Sequence, residues 1–131
     1  MIQDKDFTLR LIRQLTQALD RILLGKPEES LMQKDLDFDS LTKDIFKIDY
    51  KTLSALSKED IVALVDQRET KDHVDYYEML GNVFQFHFTQ NQNKDDAEKA
   101  KLFYESYLQK SGIFALPIIN RLTVLNQYLN S

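Results

Sequence analysis

The sequence contains no cysteine, and only three glycines and two prolines, in its 131 residues. Without cysteine the chain forms no disulfide, no thiolate zinc site and no iron–sulfur cluster, and it has no cysteine nucleophile. So few glycines also exclude the glycine-rich loops that hold phosphate groups. Neither Gly-x-Ser-x-Gly nor His-Glu-x-x-His occurs in the chain. We therefore expect a protein that is not an enzyme and that needs no cofactor.

Long apolar runs are also missing. Charged residues interrupt the first segment, "MIQDKDFTLRLIRQL", and no later run reaches the ~18 apolar residues that a membrane span needs. We therefore expect a cytoplasmic protein that does not associate with membranes.

Excess positive charge is absent as well, because the net charge is -4 and the pI is near 5.1. Proteins that bind nucleic acid usually present a basic face to the phosphates, so we expect no nucleic-acid partner. The first helix does carry four basic residues, and we interpret them as a solvated helix face. These residues are Arg10, Arg13, Arg21 and Lys26.

What the chain does have is helical periodicity. Its composition, 43% hydrophobic and 29% charged, is ordinary for a folded protein. Between Phe7 and Leu23 the apolar residues occupy an arc of roughly 160° on a helix. Gly25 is suited to a left-handed C-cap and Pro27 prevents the helix from continuing. The pattern predicts a long amphipathic helix from about Asp6 to Leu24.

The segment from Glu28 to Leu56 predicts two short helices with a break near Asp37 to Asp39. The signal that follows is clearer. Ser57 is a favourable N-cap, and Asp60 stands three positions later, as the acidic residue of a capping box does. This pattern predicts a short helix from about Lys58 to Gln67.

The aromatic run between Tyr76 and Phe88 alternates in part, as a strand would, but its polar residues favour a helix. Spacings of three, four and three residues place the polar side chains within a sector of roughly 80° on a helix. We interpret that sector, together with Asp72, as the solvated edge of a central helix that is apolar elsewhere. The residues of the sector are Asp75, Glu78, Asn82 and Gln85.

Two more helices are predicted toward the C-terminus. The polar stretch "TQNQNK" is interpreted as a solvated loop, and the acids of "DDAEKAKLFYESYLQKSG" suit the start of a helix that Gly112 ends. Pro117 fits the first turn of a last helix. The sequence thus predicts an all-α, single-domain bundle over residues 1–131 with six or seven helices. A long helix lies in 1–26, short helices lie in 28–68, and further helices lie in 73–130.

The segments "YYEMLGNVF" and "DDAEKAKLFYESYL" resemble a tetratricopeptide-type helix pair. The pair departs from that pattern in its longer loop, in Tyr107 at a small-residue position, and in Gly112 at a proline position. Over most of its length the chain is also similar to a family of short bacterial all-helical proteins of unknown function whose C-terminal half is tetratricopeptide-like. The resemblance implies a fold and no reaction. The residues that match the pattern are Leu80, Gly81, Ala100 and Tyr104, and Tyr107 stands at the second small-residue position of the second helix.

Metal sites are not indicated by the two histidines. His73 and His87 are fourteen positions apart, which separates them by about 21 Å on one helix, so they cannot bind the same ion. His87 falls in the apolar arc of the central helix. We interpret it as a packed residue whose ring nitrogen bonds a backbone carbonyl or a tyrosine.

Alternating acids, Asp35, Asp37 and Asp39, resemble the start of a calcium loop. The sixth and twelfth positions of such a loop require glycine and glutamate, and here they hold Ser40 and Phe46. We therefore interpret Asp39 or Ser40 as a helix cap, and we expect no metal.

Surface recognition is the function that remains. Four apolar residues lie outside the apolar stripes of their helices, and together they predict a second interface, either with the N-terminal helices or with another chain. This favours a non-enzymatic protein or peptide-binding module, including self-association. The residues are Leu9, Met79, Phe86 and Leu102. Substituting alanine for Met79, Phe86 or Leu102 should weaken association without unfolding the protein.

The alternative hypothesis is a small-molecule or metal-responsive regulator with a pocket between helices. Tyrosine combines an apolar ring with a hydroxyl that needs a hydrogen-bond partner, so a tyrosine-rich helix pair can line such a pocket. The candidate pocket residues are Tyr76, Tyr77, His87 and Tyr104.

Overall fold

The computed structural model describes residues 2–25 and 38–131, with the side chains of 7–25 and 39–131. In these ranges all regular secondary structure is helical and no strand occurs, which confirms the predicted all-α bundle. The described elements are α1 (Ile2–Leu23), α2 (Phe38–Phe46), α3 (Tyr50–Ala55), α4 (Lys58–Asp66), a 3-10 helix (Thr70–Asp72), α5 (His73–Asn91), α6 (Lys94–Ser111) and α7 (Leu116–Leu129).

The chain forms two compact units, Met1–His73 and Val74–Ser131. That residues 1–131 fold as a single domain stays a prediction. No helix in the described ranges has the length and apolar character needed to cross a membrane.

The first unit contains α1, which buries one stripe and ends at a glycine. Ile12, Leu15 and Leu19 are buried at spacings of three and four residues, as one face of a helix requires. Gly25 has φ 75°, a left-handed conformation that glycine adopts without strain. The predicted end of the helix is confirmed, and its start lies four residues earlier than predicted.

α2 begins at Phe38, next to the predicted break near Asp37 to Asp39, and the residues before it lie outside the described ranges. A further break, which the sequence pattern did not predict, lies at 47–49. Lys47 has φ 67°, and the Asp49 carboxylate accepts a hydrogen bond of 2.8 Å from the Thr52 amide at the start of α3. Aspartate is a strong N-cap, so Asp49 was a signal for this boundary.

Asp39 lies within the first turn of α2, and its carboxylate accepts a 3.2 Å hydrogen bond from the backbone amide of Tyr50. It therefore joins the start of α2 to the start of α3. Four residues that carried other predictions lie outside the described residues: Lys26, Pro27, Asp35 and Asp37.

The prediction for α4 is confirmed. The Ser57 hydroxyl accepts a 3.1 Å hydrogen bond from the Asp60 amide, and the helix ends one residue before the predicted end. Within the first unit α1 packs against α2, and α2 packs against α3. The buried apolar residues beyond α1 are Ile45, Phe46, Leu53, Ile61 and Val65.

The second unit is built on α5, which confirms the helical interpretation of the aromatic run. The interpretation of its polar sector as a solvated edge is wrong at three positions. Asn82 is fully buried, Gln85 is 5% exposed, and Asp72, which precedes the helix, is 7% exposed. Asp75 and Glu78 are partly exposed. Buried polar groups need hydrogen-bond partners, so an interior role for Asn82 follows.

The turn between α5 and α6 is shorter than the predicted "TQNQNK" loop. α5 continues to Asn91, and only Gln92 and Asn93 separate it from α6. Gln92 adopts φ 53°, and the Asn93 side chain caps α6 by accepting hydrogen bonds from the amides of Asp95 and Asp96. The helix pair therefore has a tight turn.

The last two helices begin and end as predicted. Gly112 has φ 68° and ends α6, and Pro117 lies in the first turn of α7. Helices α6 and α7 pack against each other. Rings join α5 to α6, because the Phe103 ring lies 6.0 Å from Tyr77 and 5.8 Å from Phe84 between ring centres.

Candidate docking surface

Of the four residues predicted to form a second interface, two are buried and two are partly exposed. Met79 and Phe86 are 2% and 6% exposed, so another protein cannot reach them in this conformation. Their burial is what packing within the chain predicts, and alanine at either position would create a cavity. Leu9 and Leu102 are partly exposed, but they belong to different units.

The alternative pocket is not assembled from its four predicted residues. Tyr76, Tyr77 and Tyr104 are buried, and Tyr77 stacks on the ring of a neighbouring phenylalanine. His87 follows Tyr77 by ten residues on α5, a rise of about 15 Å. Its Nδ1 lies 2.8 Å from the carbonyl oxygen of Val83, the type of bond expected for a packed histidine. Within the described ranges, no group of three His, Cys, Asp or Glu side chains is arranged to hold a metal ion.

A buried polar network joins the three helices of the second unit. Asn82 of α5 accepts hydrogen bonds at its Oδ1 from the Tyr104 hydroxyl of α6, at 2.6 Å, and from Nη1 of Arg121 of α7, at 3.1 Å. The same Nη1 lies 3.3 Å from the Tyr104 oxygen. The Arg121 guanidinium is also 6.0 Å from the Tyr104 ring centre, within range of a cation–π interaction.

A close backbone approach accompanies this network. A Cβ atom at Gly81 would lie 2.4 Å from Cδ1 of Tyr104, so only glycine fits beneath that ring. The Tyr104 hydroxyl is fixed by Asn82 and Arg121, so the ring cannot easily move aside. Glycine 81 therefore allows α5 and α6 to approach closely.

The second turn of α6 holds the only other buried cation of the described part of the second unit. Lys99 is 1% exposed, with its ammonium group 2.7 Å from Asp95 and 5.4 Å from the centre of the Phe84 ring. Burial raises the pKa of nearby Asp96 above its ordinary value, and interaction with His87 partly opposes that rise. These contacts anchor the start of α6 to α5.

Exposed apolar side chains cluster after α6. Phe114 is 79% exposed, Leu116 is 56%, Ile113 is 54% and Val124 is 53%. Three of them fall within four consecutive positions, and Val124 lies two turns along α7 from Leu116. We call these four residues the C-terminal apolar surface.

Local backbone structure explains why these side chains face solvent. Gly112 turns the chain away from α6, and the Ser111 hydroxyl accepts a 3.1 Å hydrogen bond from the Ile113 amide. α7 begins at Leu116 with Pro117 in its first turn, so only residues 112–115 connect the two helices. On α7 itself, Ile118, Leu122 and Leu125 form the buried stripe, and the other side of the helix remains available.

No charged side chain is exposed in residues 111–131. All 21 acidic residues and 16 of the 17 lysines and arginines lie within residues 1–110. The remaining one, Arg121, is 9% exposed and points into the polar network. The exposed polar residues of α7 are therefore neutral: Asn120, Thr123 and Gln127.

A second surface lies on α1, where a shallow groove of about 340 Å³ is lined by residues of that helix. Arg10 and Arg13 are exposed there, as the interpretation of a solvated basic face predicts. Four of the five residues that line this groove are polar or basic, whereas the C-terminal apolar surface consists of apolar side chains. The remaining lining residues are Leu9, Gln14 and Gln17.

Sequence reasoning missed the C-terminal apolar surface because it did not consider the apolar residues between Gly112 and Pro117. A signal existed in the run Ile113, Phe114, Ala115 and Leu116, which follows a C-cap glycine and precedes a helix-starting proline. Its first three residues lie between the two helices, outside the periodic apolar stripe of each. Comparisons of the chain with protein-family models, with curated proteins and with solved structures gave no match.

Proposed function

We propose that the protein is a non-enzymatic protein-interaction module that docks through the C-terminal apolar surface. The observation that carries the proposal is the 79% exposure of Phe114 amid three other exposed apolar side chains. Single exposed apolar residues are normal on soluble proteins, whereas a cluster marks a binding surface.

The composition of this surface supports the same function. The centres of protein interfaces are depleted in charged residues and enriched in aromatic ones. Here one aromatic ring and three aliphatic side chains lie on a segment whose single charge is buried. Fully burying one such side chain is worth roughly 1.5–3 kcal/mol, so Phe114 is the strongest candidate for an anchor.

The resemblance to tetratricopeptide helix pairs is part of this proposal. It is supported by the tight α5–α6 turn and by the approach of Tyr104 to Gly81, since small residues permit close helix packing. The cytoplasmic location indicated by the sequence is also part of it. The structure holds His87 away from Tyr76 and Tyr77, and no observation favours a metal or small-molecule regulator.

The experiment is a selection of short peptides from a random display library on the immobilised full-length protein. Enriched peptides are then measured by fluorescence polarisation against wild type, Phe114→Glu and Val124→Glu. We expect at least a tenfold loss of affinity in both variants, equivalent to about 1.4 kcal/mol.

The matched control is Phe7→Glu, because Phe7 is 52% exposed on α1 and receives the same substitution outside the proposed surface. It should bind the peptides as wild type does. Circular dichroism establishes that each variant is folded. The proposal is overturned if no peptide is enriched, or if the enriched peptides bind Phe114→Glu as tightly as wild type.

A further inference from the structure

We infer that the occupant of the C-terminal apolar surface is a second copy of this chain, with the two α7 helices antiparallel across a two-fold axis near Asn120. This inference rests on the proposed function and names its partner.

The first argument is the symmetry of the exposed residues on α7. Leu116 and Val124 each lie four residues from Asn120, so the three share one side of the helix. When two identical helices pair antiparallel about Asn120, Leu116 of each copy meets Val124 of the other. A two-fold interface requires such a self-complementary pattern, because each patch must bind its own copy.

The second argument is that every exposed group on this side of α7 tolerates its own copy. Asparagine and glutamine amides both donate and accept hydrogen bonds, so Asn120 can pair with Asn120 of the second copy. A single polar asparagine within an apolar helix pair also fixes the register of the helices. Charged residues would repel their copies, and the last 21 residues expose none.

The third argument is the contrast with the rest of the chain. Residues 1–110 carry 21 acids against 16 lysines and arginines, so their net charge is negative and this part of two copies repels overall. The uncharged segment offers a surface on which that repulsion is smallest. A helix of 14 residues is about 21 Å long, so the contact is small and the dimer is weak.

The test is analytical ultracentrifugation of the protein at concentrations from about 5 µM to about 1 mM, a range in which weak dimers are detected. We expect wild type and Phe7→Glu to form dimers as concentration rises, whereas Phe114→Glu remains monomeric. Higher salt should strengthen the dimer, because it screens the repulsion between the acidic chains.

A charge pair at Asn120 tests the two-fold axis directly. Asn120→Asp and Asn120→Lys should each weaken the dimer at least tenfold, because like charges then face each other. An equimolar mixture of the two should recover dimers of wild-type strength, because opposite charges meet. Dimers recover in the mixture only if residue 120 of one chain contacts residue 120 of the second chain.

The result that overturns the inference is a wild-type protein that stays monomeric throughout, or a dimer that none of these variants affects. The proposed function is tested separately by the peptides. If wild type is monomeric while Phe114→Glu loses peptide binding, docking stands and the second copy is wrong. If neither association nor peptide binding depends on Phe114, both are wrong.

Discussion

The two compact units distribute polar and apolar groups in different ways. In the first unit two buried polar side chains bond close neighbours in sequence: the Thr16 hydroxyl donates to the carbonyl of Ile12, and His73 bonds the carbonyl of Arg68. In the second unit one buried amide, Asn82, joins residues 22 and 39 positions away. The second unit also exposes four large apolar side chains after α6.

This difference shows that a charged side chain that hydrogen-bonds in the interior leaves the surface of its helix uncharged. Arg121 is the last charged residue of the chain, and the network of Asn82 and Tyr104 holds it in the interior. One side of α7 thus helps to order the unit, while the other side is left neutral. In the first unit, by contrast, exposed arginines cover α1.

The largest effect is expected when the network is broken. Asn82→Ala removes the acceptor for both the Tyr104 hydroxyl and the Arg121 guanidinium, and a buried cation that loses its partner is strongly destabilising. We expect the free energy of unfolding to fall by about 3 kcal/mol, measured by chemical denaturation. Thr16→Val, the matched change in the first unit, should lose no more than about 1 kcal/mol.

Asn82→Asp serves as the second control for the network. It retains an oxygen acceptor and places a negative charge beside Arg121, so it should keep most of the stability that alanine loses. Equal losses in Asn82→Ala and Thr16→Val would contradict the distinction between an inter-helix network and a local hydrogen bond.

A somewhat smaller effect is expected at Gly81. Gly81→Ala places a methyl group against the Tyr104 ring, and overpacking of this kind destabilises by about 2 kcal/mol, measured by thermal unfolding. In a Tyr104→Leu background the added methyl group no longer meets a fixed ring. The same substitution should then be nearly neutral, and additive losses in the double variant would contradict the proposed contact.

Helix caps should contribute equally to the stability of the two units. Ser57 in the first unit and Asn93 in the second each cap a helix with a side-chain oxygen. Alanine at either position should reduce the free energy of unfolding by about 1 kcal/mol. A loss several times larger at Asn93 alone would show that its turn does more than cap α6.

The smallest effect concerns the charge of Asp96. Because burial raises its pKa in the folded protein, the folded state binds the proton more tightly than the unfolded state does. The ionised carboxylate therefore lowers stability at neutral pH, and that penalty disappears as pH falls below the unfolded pKa. Asp96→Asn should raise the melting temperature slightly at pH 7, with the difference shrinking toward acid pH.

Asp95→Asn provides the matched control for this prediction. It removes the carboxylate that pairs with buried Lys99, so it should lower the melting temperature where Asp96→Asn raises it. The same sign of change in both variants would contradict the separate roles assigned to the two neighbouring acids.

Local signals predicted most of the fold. Ser57, Gly112 and Pro117 mark helix ends through backbone chemistry that depends on a few neighbouring residues, and the structure confirms them. The position of the break between α2 and α3 was missed because several acids could have served as caps. The structure shows that Asp49 is the cap that was used.

Burial of polar residues could not be predicted in the same way. Helical spacing placed Asn82 and Gln85 correctly on one sector, but it could not show that this sector faces the interior. The decisive partner of Asn82 lies on α7, 39 residues away in sequence. The docking surface was missed because helical periodicity says nothing about the apolar residues that lie between two helices.

The position of Arg121 also determines how proteases meet the molecule. Trypsin cuts after lysine and arginine, and beyond Lys110 the chain offers it only a guanidinium shielded by three helices. Chymotrypsin instead meets Phe114, the most exposed aromatic ring of the described residues, in a stretch without helix. A native digest with trypsin therefore leaves α7 itself uncut, whereas chymotrypsin can cut at Phe114, just before α7.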